Sequence, residues 1–154
     1  MENPAEYCQD DVWEELIDGV AVAMSPRPHV NHFRISQNIS MIFYNYLRGK
    51  KCQSFGDGVD LYLTDKDRFV PDGMVVCDPY KVRTKGVYGA PDLVVEVLSP
   101  STASRDRGYK RQVYEQSGVK EYWIVNGPEK SIEVYILKDG KLEFENVYIV
   151  YPDY

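Results

Sequence analysis

The chain has few of the residues that mark a secreted, membrane-spanning or zinc-binding protein. Its three cysteines, Cys8, Cys52 and Cys77, are widely spaced and form no CxxC pair. Such an odd set argues against a disulfide framework and a zinc site, and it favours a reducing compartment, so we expect a cytoplasmic protein. The acidic N-terminus has no apolar core, and no apolar run reaches about 18 residues, so neither a secretory signal nor a membrane span is predicted.

Positive charge is also scarce. The formal net charge is −6 and the pI is about 4.9, so the chain lacks the overall charge of a protein that binds nucleic acid by bulk attraction. The exception is a basic cluster within seven residues, Arg105, Arg107, Lys110 and Arg111, which predicts a local patch for a phosphate backbone. With 44% hydrophobic residues, the chain can bury the core of one domain over residues 1–154.

The apolar pattern predicts an α+β fold with a β-hairpin near each end. Asp18-Gly19 and Asp139-Gly140 each lie between apolar runs and suit tight hairpin turns, which require positive φ. A helical repeat over residues 30–49, capped near Asn31, predicts a long amphipathic helix. The remaining expectations are a second helix over about 101–117 and strands at 59–65, 69–77, 92–99 and 121–126. Together they predict a mixed sheet flanked by two main helices.

Glu96 lies in the apolar middle of the predicted central strand. It shares a sheet face with Val94 and Leu98, where an ionised carboxylate is costly unless it is paired, hydrogen-bonded or bound to a metal. One interpretation is a structural salt bridge to an arginine or lysine. The favoured interpretation is an oxygen ligand for a divalent ion.

Asp72 is the predicted partner carboxylate. It follows Pro71, which suits the start of a strand, and precedes Glu96 by 24 residues (96 − 72) on what should be an adjacent strand. Its alternative role is an Asx-turn. Asp92 competes with it but would lie roughly 13 Å from Glu96 along the strand, so it is the weaker candidate.

The role of Lys110 depends on its surroundings. It stands four residues from both Asp106 and Tyr114, so it could be one partner of a solvated helical ion pair. With Glu96 upstream, the favoured interpretation is the lysine of a nuclease site. His29 and His32 lack zinc-binding spacing with another His or Cys, and a lone histidine is more often a packing or surface residue.

Several motifs together resemble the Uma-type (Uma-two) family of predicted restriction endonucleases. They are PDGMVV, APDLVVEVLSPSTASRDRGYK and YEQSGVKEYWIV, with MSPRPHVNHFRISQNI over the first helix. That family is placed in the PD-(D/E)xK nuclease superfamily, so the resemblance implies a restriction-endonuclease-like core and a divalent ion, usually Mg²⁺, with Mn²⁺ as a second candidate. Relatives typically continue past Tyr154, which leaves open that this chain lacks a C-terminal element.

The resemblance also assigns residues. Asp72 matches the aspartate of the family's PD motif and Glu96 the acid of the following strand, and these two with the Val97 carbonyl would hold the ion. The superfamily lysine would stand two residues after the acid, where this chain has Leu98, so the resemblance implies that Lys110 replaces it as the third catalytic residue.

These observations lead to two main interpretations of function. The first is a Mg²⁺-dependent endonuclease that hydrolyses DNA, with His32, which matches the family's first-helix histidine, near the site and homodimerisation left open. The second is a catalytically weak or inactive nuclease-fold module for protein or nucleic-acid interaction, favoured by the acidic pI and by Leu98. A two-carboxylate glycosidase is third, because the aromatic residues fall mostly at core positions of strands.

Overall fold

The computed structural model describes residues 13–24 and 28–149. Cys8 and the terminal YPDY therefore lie outside the described residues. The helices are α1 (Val30–Leu47), α2 (Ala103–Arg107) and α3 (Tyr109–Ser117). The strands are β1 (Glu14–Ile17), β2 (Val20–Ala23), β3 (Gln53–Gly56), β4 (Leu61–Thr64), β5 (Asp67–Phe69), β6 (Gly73–Val76), β7 (Val82–Arg83), β8 (Gly86–Tyr88), β9 (Leu93–Val97), β10 (Glu121–Asn126), β11 (Ser131–Lys138) and β12 (Lys141–Ile149).

The strands form two six-stranded sheets. The first has the order β2-β1-β5-β4-β8-β7 and the second the order β12-β11-β10-β9-β6-β3. Most neighbours are antiparallel, but β4 with β8 and β9 with β10 are parallel. Since parallel neighbours need a crossover, α2 and α3 supply it between β9 and β10. The predicted α+β class is confirmed, although the expected single mixed sheet is two sheets.

One apolar core joins both sheets. Leu61 and Val87 of the first sheet cluster with Met74, Val94 and Ile124 of the second, and side chains of α3 complete this cluster. Each of these five residues is at most 1% exposed. Glu96 projects to this side of the second sheet, because it alternates with Val95 along β9.

Helix α1 covers the other face of the second sheet. Ile35, Ile39 and Phe43, spaced at helical intervals, pack against Val95 and Val97 of β9. This is the amphipathic helix that the sequence predicts. It begins after His29, so the N-cap lies two residues before Asn31, close to the expected position, but no side chain makes a capping hydrogen bond there.

Both predicted hairpins are present. Asp18 and Gly19 have φ of 48° and 79°, and Asp139 and Gly140 have φ of 49° and 77°. Asparagine, aspartate and glycine tolerate this left-handed region, which two-residue hairpin turns require. The turns fix the registers of β1 with β2 and of β11 with β12.

The expected strand over 69–77 is confirmed only over Gly73–Val76, because Phe69 ends a strand of the other sheet and residues 70–72 are in neither strand. β5 ends at Phe69 in the first sheet, and β6 begins at Gly73 in the second. Pro71 has no N–H to give to a ladder, so pairing stops there. The interruption leaves Asp72 in the segment that crosses from one sheet to the other.

The expected helix over 101–117 is also interrupted. Gly108, at φ −103° and ψ −99°, separates α2 from α3. Lys110 therefore lies in the first turn of α3, not in the interior of a continuous helix. The predicted stop is correct, since Gly118 has φ 91° and its N–H bonds to the Tyr114 and Glu115 carbonyls.

The prediction against disulfides requires correction. Cys52 and Cys77 form a disulfide with their Cα atoms 4.0 Å apart. Cys52 precedes β3 and Cys77 follows β6, and Gln53 pairs with Val76. The antiparallel register therefore places the two cysteines side by side, although 25 residues separate them in sequence.

Within the described ranges, no helix combines the length and apolarity that a membrane crossing would need.

Gly86→Ala should lower the free energy of unfolding by about 3 kcal/mol. Gly86 has φ 151°, and a Cβ atom there would lie 2.3 Å from the Asp60 carbonyl oxygen. Gly49→Ala is the matched control, because Gly49 has φ 75° and open space around it, so only about 1 kcal/mol is expected. Urea unfolding measures both, and equal losses would show that the close approach to Asp60 is unimportant.

Candidate active site

The site lies where β9 ends and β6 begins. Gly73 pairs with Val95 in the antiparallel register, so Asp72 lies opposite the last residues of β9. The Val97 amide donates a hydrogen bond of 2.7 Å to Asp72 Oδ2. Asp72 and Glu96, which the sequence singles out, are thereby brought to adjoining strands.

Glu96 is at the centre of a buried polar cluster. It is 3% exposed, and its Oε1 atom accepts from Lys110 Nζ at 3.1 Å and from the Tyr114 hydroxyl at 2.6 Å. Lys110 Nζ also lies 3.9 Å from Asp106 Oδ1. Lys110 and Asp106 are 4% and 2% exposed, so the interpretation of Lys110 as part of a solvated ion pair is wrong. The expected proximity of Lys110 to Glu96 is found.

Glu15 is a member of this cluster that sequence reasoning missed. Its Oε1 atom accepts from Lys110 Nζ at 2.7 Å and from the Val70 amide at 2.8 Å. It is 5% exposed, and Arg105 lies 3.9 Å from its other oxygen. Because Glu14 and Glu15 stand together at the start of a short strand, the sequence carries no signal for which of them points inward.

The cluster has more negative than positive charge. Burial raises the pKa of Glu96 well above its usual value; Lys110 opposes this shift, and Asp106, Asp72 and Glu15 add to it. Burial likewise raises the pKa of Asp106 to about 6 against the effect of Lys110. Burial alone would lower the pKa of Lys110, but Glu96, Glu15 and Asp106 outweigh it and raise the pKa. Lys110 is therefore a fixed cation among surplus carboxylates.

His32 reaches the site from the first turn of α1. Its Nε2 atom lies 2.9 Å from the Val97 carbonyl oxygen and 3.5 Å from Asp72 Oδ1. Since the carbonyl can only accept, Nε2 carries a proton. The hydrogen bond with Asp72 raises the pKa of His32, although burial opposes it. The position expected from the family resemblance is therefore found.

Asp92, the competing carboxylate, lies at the other end of β9 and has structural partners. Its two oxygens accept from the Cys77 amide at 2.7 Å and from Lys120 Nζ at 2.8 Å. Burial alone would raise the pKa of Asp92. The hydrogen bonds outweigh burial and lower this pKa, and the bond from Lys120 has the larger effect. It ties β9 to its neighbours and is not part of the Glu96 cluster.

Asp92→Asn should leave any nuclease activity unchanged and lower the free energy of unfolding by about 1 kcal/mol at pH 7. A carboxyl whose pKa is lowered in the folded state contributes stability above its unfolded pKa of about 4, and that contribution is lost as the pH falls through the folded pKa. Urea unfolding should therefore separate the variant from the native protein at pH 7 but not at pH 2. Loss of cleavage in a folded Asp92→Asn variant would contradict the purely structural role of Asp92.

The predicted basic patch is not an open surface. Arg107 makes two hydrogen bonds to Glu133, of 2.7 and 2.8 Å, and Arg111 donates to the Leu142 carbonyl at 2.9 Å. Lys110 is buried in the cluster. Most of this charge therefore serves contacts within the fold.

The oxygen ligands of Asp72, Glu96 and Val97 are of the chemical type that a small divalent cation takes. Both protein hydrogen bonds of Glu96 go to Oε1, so its Oε2 atom has no such bond among the described residues. Two carboxylates and a carbonyl, completed by water, are the hard oxygen ligands that Mg²⁺ takes. Residues 13–24 and 28–149 contain no group of three or more His, Cys, Asp or Glu side chains placed to hold a metal, so the set depends on the backbone carbonyl as its third ligand. The surplus negative charge favours a cation there.

A solved structure shares this fold. The crystal structure of "a putative nuclease belonging to DUF820" from Anabaena variabilis matches with a TM-score of 0.70, covering 88% of this chain and 75% of that one. The two sequences are 19% identical over the match, so the likeness concerns the fold alone. The chain therefore has the same fold as that protein.

The sequence comparisons define the family. The Uma2 profile, described as "Putative restriction endonuclease", matches residues 4–149, and the chain belongs to this family. A relative from Synechocystis sp., "Uncharacterized protein slr1290", is 33% identical over 146 residues, which cover 89% of this chain and 75% of the relative. The family resemblance drawn from the motifs is therefore confirmed.

Proposed function

We propose that the protein is a metal-dependent endonuclease that hydrolyses phosphodiester bonds in DNA. The observation that carries this proposal is the 2.7 Å hydrogen bond from the Val97 amide to Asp72 Oδ2. It joins the backbone beside Glu96 to the second carboxylate, so the two acids share one end of the second sheet. Family membership and the nuclease-like fold support the proposal.

Asp72, Glu96 and the Val97 carbonyl are the groups that would hold Mg²⁺ or Mn²⁺. When bound, such an ion supplies a water of lowered pKa and offsets charge on the scissile phosphate. Tyr114 donates to Glu96 Oε1 at 2.6 Å, which holds the carboxylate in one orientation. His32 donates a hydrogen bond to the Val97 carbonyl and lies beside Asp72. It therefore orients two of the proposed metal ligands from the α1 side.

Lys110 supplies a positive charge in a fixed position. An ammonium has three N–H donors, and here Glu15 and Glu96 accept two of them, while Asp106 at 3.9 Å is beyond hydrogen-bond distance. The remaining donor has no hydrogen-bond acceptor among the described residues, and its proposed role is to bond to an attacking water or a phosphate oxygen. Because the protein already orders the ammonium, little reorganisation is needed as charge develops.

A second candidate is a nuclease-fold module without activity, and one observation favours it. Glu96 is 3% exposed and already bonds to Lys110 and Tyr114, as a purely structural carboxylate would. This alternative predicts binding of protein or nucleic acid without cleavage.

A cleavage assay separates the two candidates. Purified protein is incubated with supercoiled plasmid, linear duplex and single-stranded DNA in Mg²⁺, Mn²⁺ or EDTA. We expect nicked or shortened DNA with a divalent ion and intact DNA in EDTA. Absence of cleavage of every substrate with either ion would favour the inactive module, and full activity in EDTA would exclude the metal-dependent mechanism.

A further inference from the structure

A cationic hairpin formed by β7 and β8 is left unused by the proposed catalytic residues. Between Asp78 and Asp92 the chain carries Lys81, Arg83 and Lys85 and no carboxylate, in a protein of net charge −6. Lys81 donates to the Ala90 carbonyl at 2.7 Å, which keeps it within the fold. Arg83 and Lys85, at the turn of the hairpin, are exposed.

The hairpin is fixed against β4. The amides of Val87 and Gly89 donate to the carbonyls of Asp60 and Tyr62 at 2.9 and 2.8 Å. At Gly86 the hairpin backbone comes so close to Asp60 that a Cβ would lie 2.3 Å from its carbonyl oxygen. The exposed cations therefore project from a rigid element.

The Arg83 side chain is held by aromatic rings. Its guanidinium lies 4.6 Å from the centre of the Tyr88 ring. Tyr88 in turn stacks on Tyr62, with ring centres 4.3 Å apart and planes within 6°. A cation–π contact fixes a guanidinium without using its N–H donors, which stay available for a phosphate.

A cavity of about 270 Å³ lies between side chains of the hairpin turn and the β3–β4 turn, beside the contact of Gly86 and Val87 with Asp60. Arg83 and Lys85 line it on one side, and Gly58 and Asp60 on the other, so these lining residues carry a net charge of +1 (two cations against Asp60). Gly58 follows Asp57, and Gly56 pairs with Gly73 in the register of β3 with β6, so Asp57 continues that register opposite Asp72. The turn that borders the cavity therefore begins beside Asp72 of the candidate active site.

We propose that the β7–β8 hairpin and this cavity form a binding subsite for the sugar-phosphate backbone of DNA beside the scissile phosphate, with Arg83 and Lys85 on the phosphates. The inference rests on the proposed function, because it assigns this surface to the substrate of that site. It gives an acidic protein the local positive surface that the Arg105–Arg111 cluster does not provide.

The test compares two double variants of equal charge change. Arg83→Gln/Lys85→Gln removes the hairpin cations, and Lys66→Gln/Lys130→Gln removes two exposed lysines from other turns. Binding of a fluorescent DNA duplex is measured by anisotropy in EDTA over a range of salt concentrations, and urea unfolding shows that each variant is folded. We expect at least about tenfold weaker binding for the hairpin variant and a salt slope smaller by about two, with the control within twofold of native.

Equal binding by the hairpin variant and the native protein would overturn the inference, as would equal weakening by both double variants. A cleavage assay with Mg²⁺ then shows whether the subsite or the proposed endonuclease function is wrong. Native protein that cleaves DNA while the hairpin variant binds normally would leave the proposed function intact and refute the subsite. Hairpin-dependent binding without cleavage by native protein would support the subsite and refute the endonuclease.

Discussion

Glu96→Gln should slow metal-dependent DNA cleavage by at least about a hundredfold while the protein remains folded. Glutamine keeps the shape of the side chain and removes the charge that would bind the ion. Steady-state nicking of supercoiled plasmid at saturating Mg²⁺ measures the loss. Glu133→Gln, the same change on β11, alters only contacts with Arg107 and Tyr135, away from the Glu96 cluster, and should leave the rate unchanged.

The folded state should survive Glu96→Gln because the cluster contains more carboxylates than it needs. Lys110 keeps Glu15 at 2.7 Å and Asp106 at 3.9 Å, so no cation is left unpaired. Removing one buried carboxylate also relieves the burial cost and the repulsion that raise the pKa of Glu96. We expect the free energy of unfolding to change by no more than about 1 kcal/mol. A loss of several kcal/mol with unchanged metal binding would identify Glu96 as a structural residue.

Lys110→Met should have the largest effect on stability, a loss of about 3 to 5 kcal/mol at pH 7 in EDTA. The substitution leaves the buried carboxylates of Glu15, Glu96 and Asp106 without the ammonium that they surround. Urea unfolding measures the loss. Lys120→Met is the control, since its Nζ also pairs with a carboxylate but its side chain is 74% exposed, and it should cost no more than about 1 kcal/mol.

The loss caused by Lys110→Met should depend on pH. Burial raises the pKa of Glu96 and of Asp106, the latter to about 6, and removing Lys110 removes the largest effect that opposes these shifts. A carboxyl whose pKa is raised in the folded state destabilises as the pH rises above its unfolded value, near 4, and the penalty grows up to the folded pKa. The difference from the native protein should therefore shrink at pH 4. A loss that is the same at pH 4 and pH 7 would mean that unpaired buried charge is not its cause.

The sequence predicts the elements of this fold better than their arrangement. Asp18-Gly19 and Asp139-Gly140 fix their hairpins because turn chemistry is local. Pro71 is equally visible, but whether the chain resumes in the same sheet or in another depends on long-range packing. The Cys52–Cys77 pairing likewise follows from the register of β3 with β6, which residue spacing does not reveal.

In the candidate site, too, local features could be predicted from the sequence and long-range contacts could not. A carboxylate in an apolar strand, Glu96, stands out because its burial is costly without a partner. The proximity of Lys110 follows from a short loop and a helix that packs back on the sheet. Glu15 could not be predicted, because it arrives from a separate hairpin 81 residues away in sequence (96 − 15). The roles of Asp72, Glu96 and Lys110 in chemistry remain predictions.

A calorimetric titration with Mg²⁺ or Mn²⁺ tests the central claim most directly, that Asp72 and Glu96 together hold a divalent ion. The native protein and Asp92→Asn should bind the ion alike, while Asp72→Asn should bind it at least about tenfold more weakly. The two variants make the same chemical change, one opposite the end of β9 and one just before its start, so they differ only in position. Equal binding by Asp72→Asn and the native protein, or no binding by the native protein, would contradict the account.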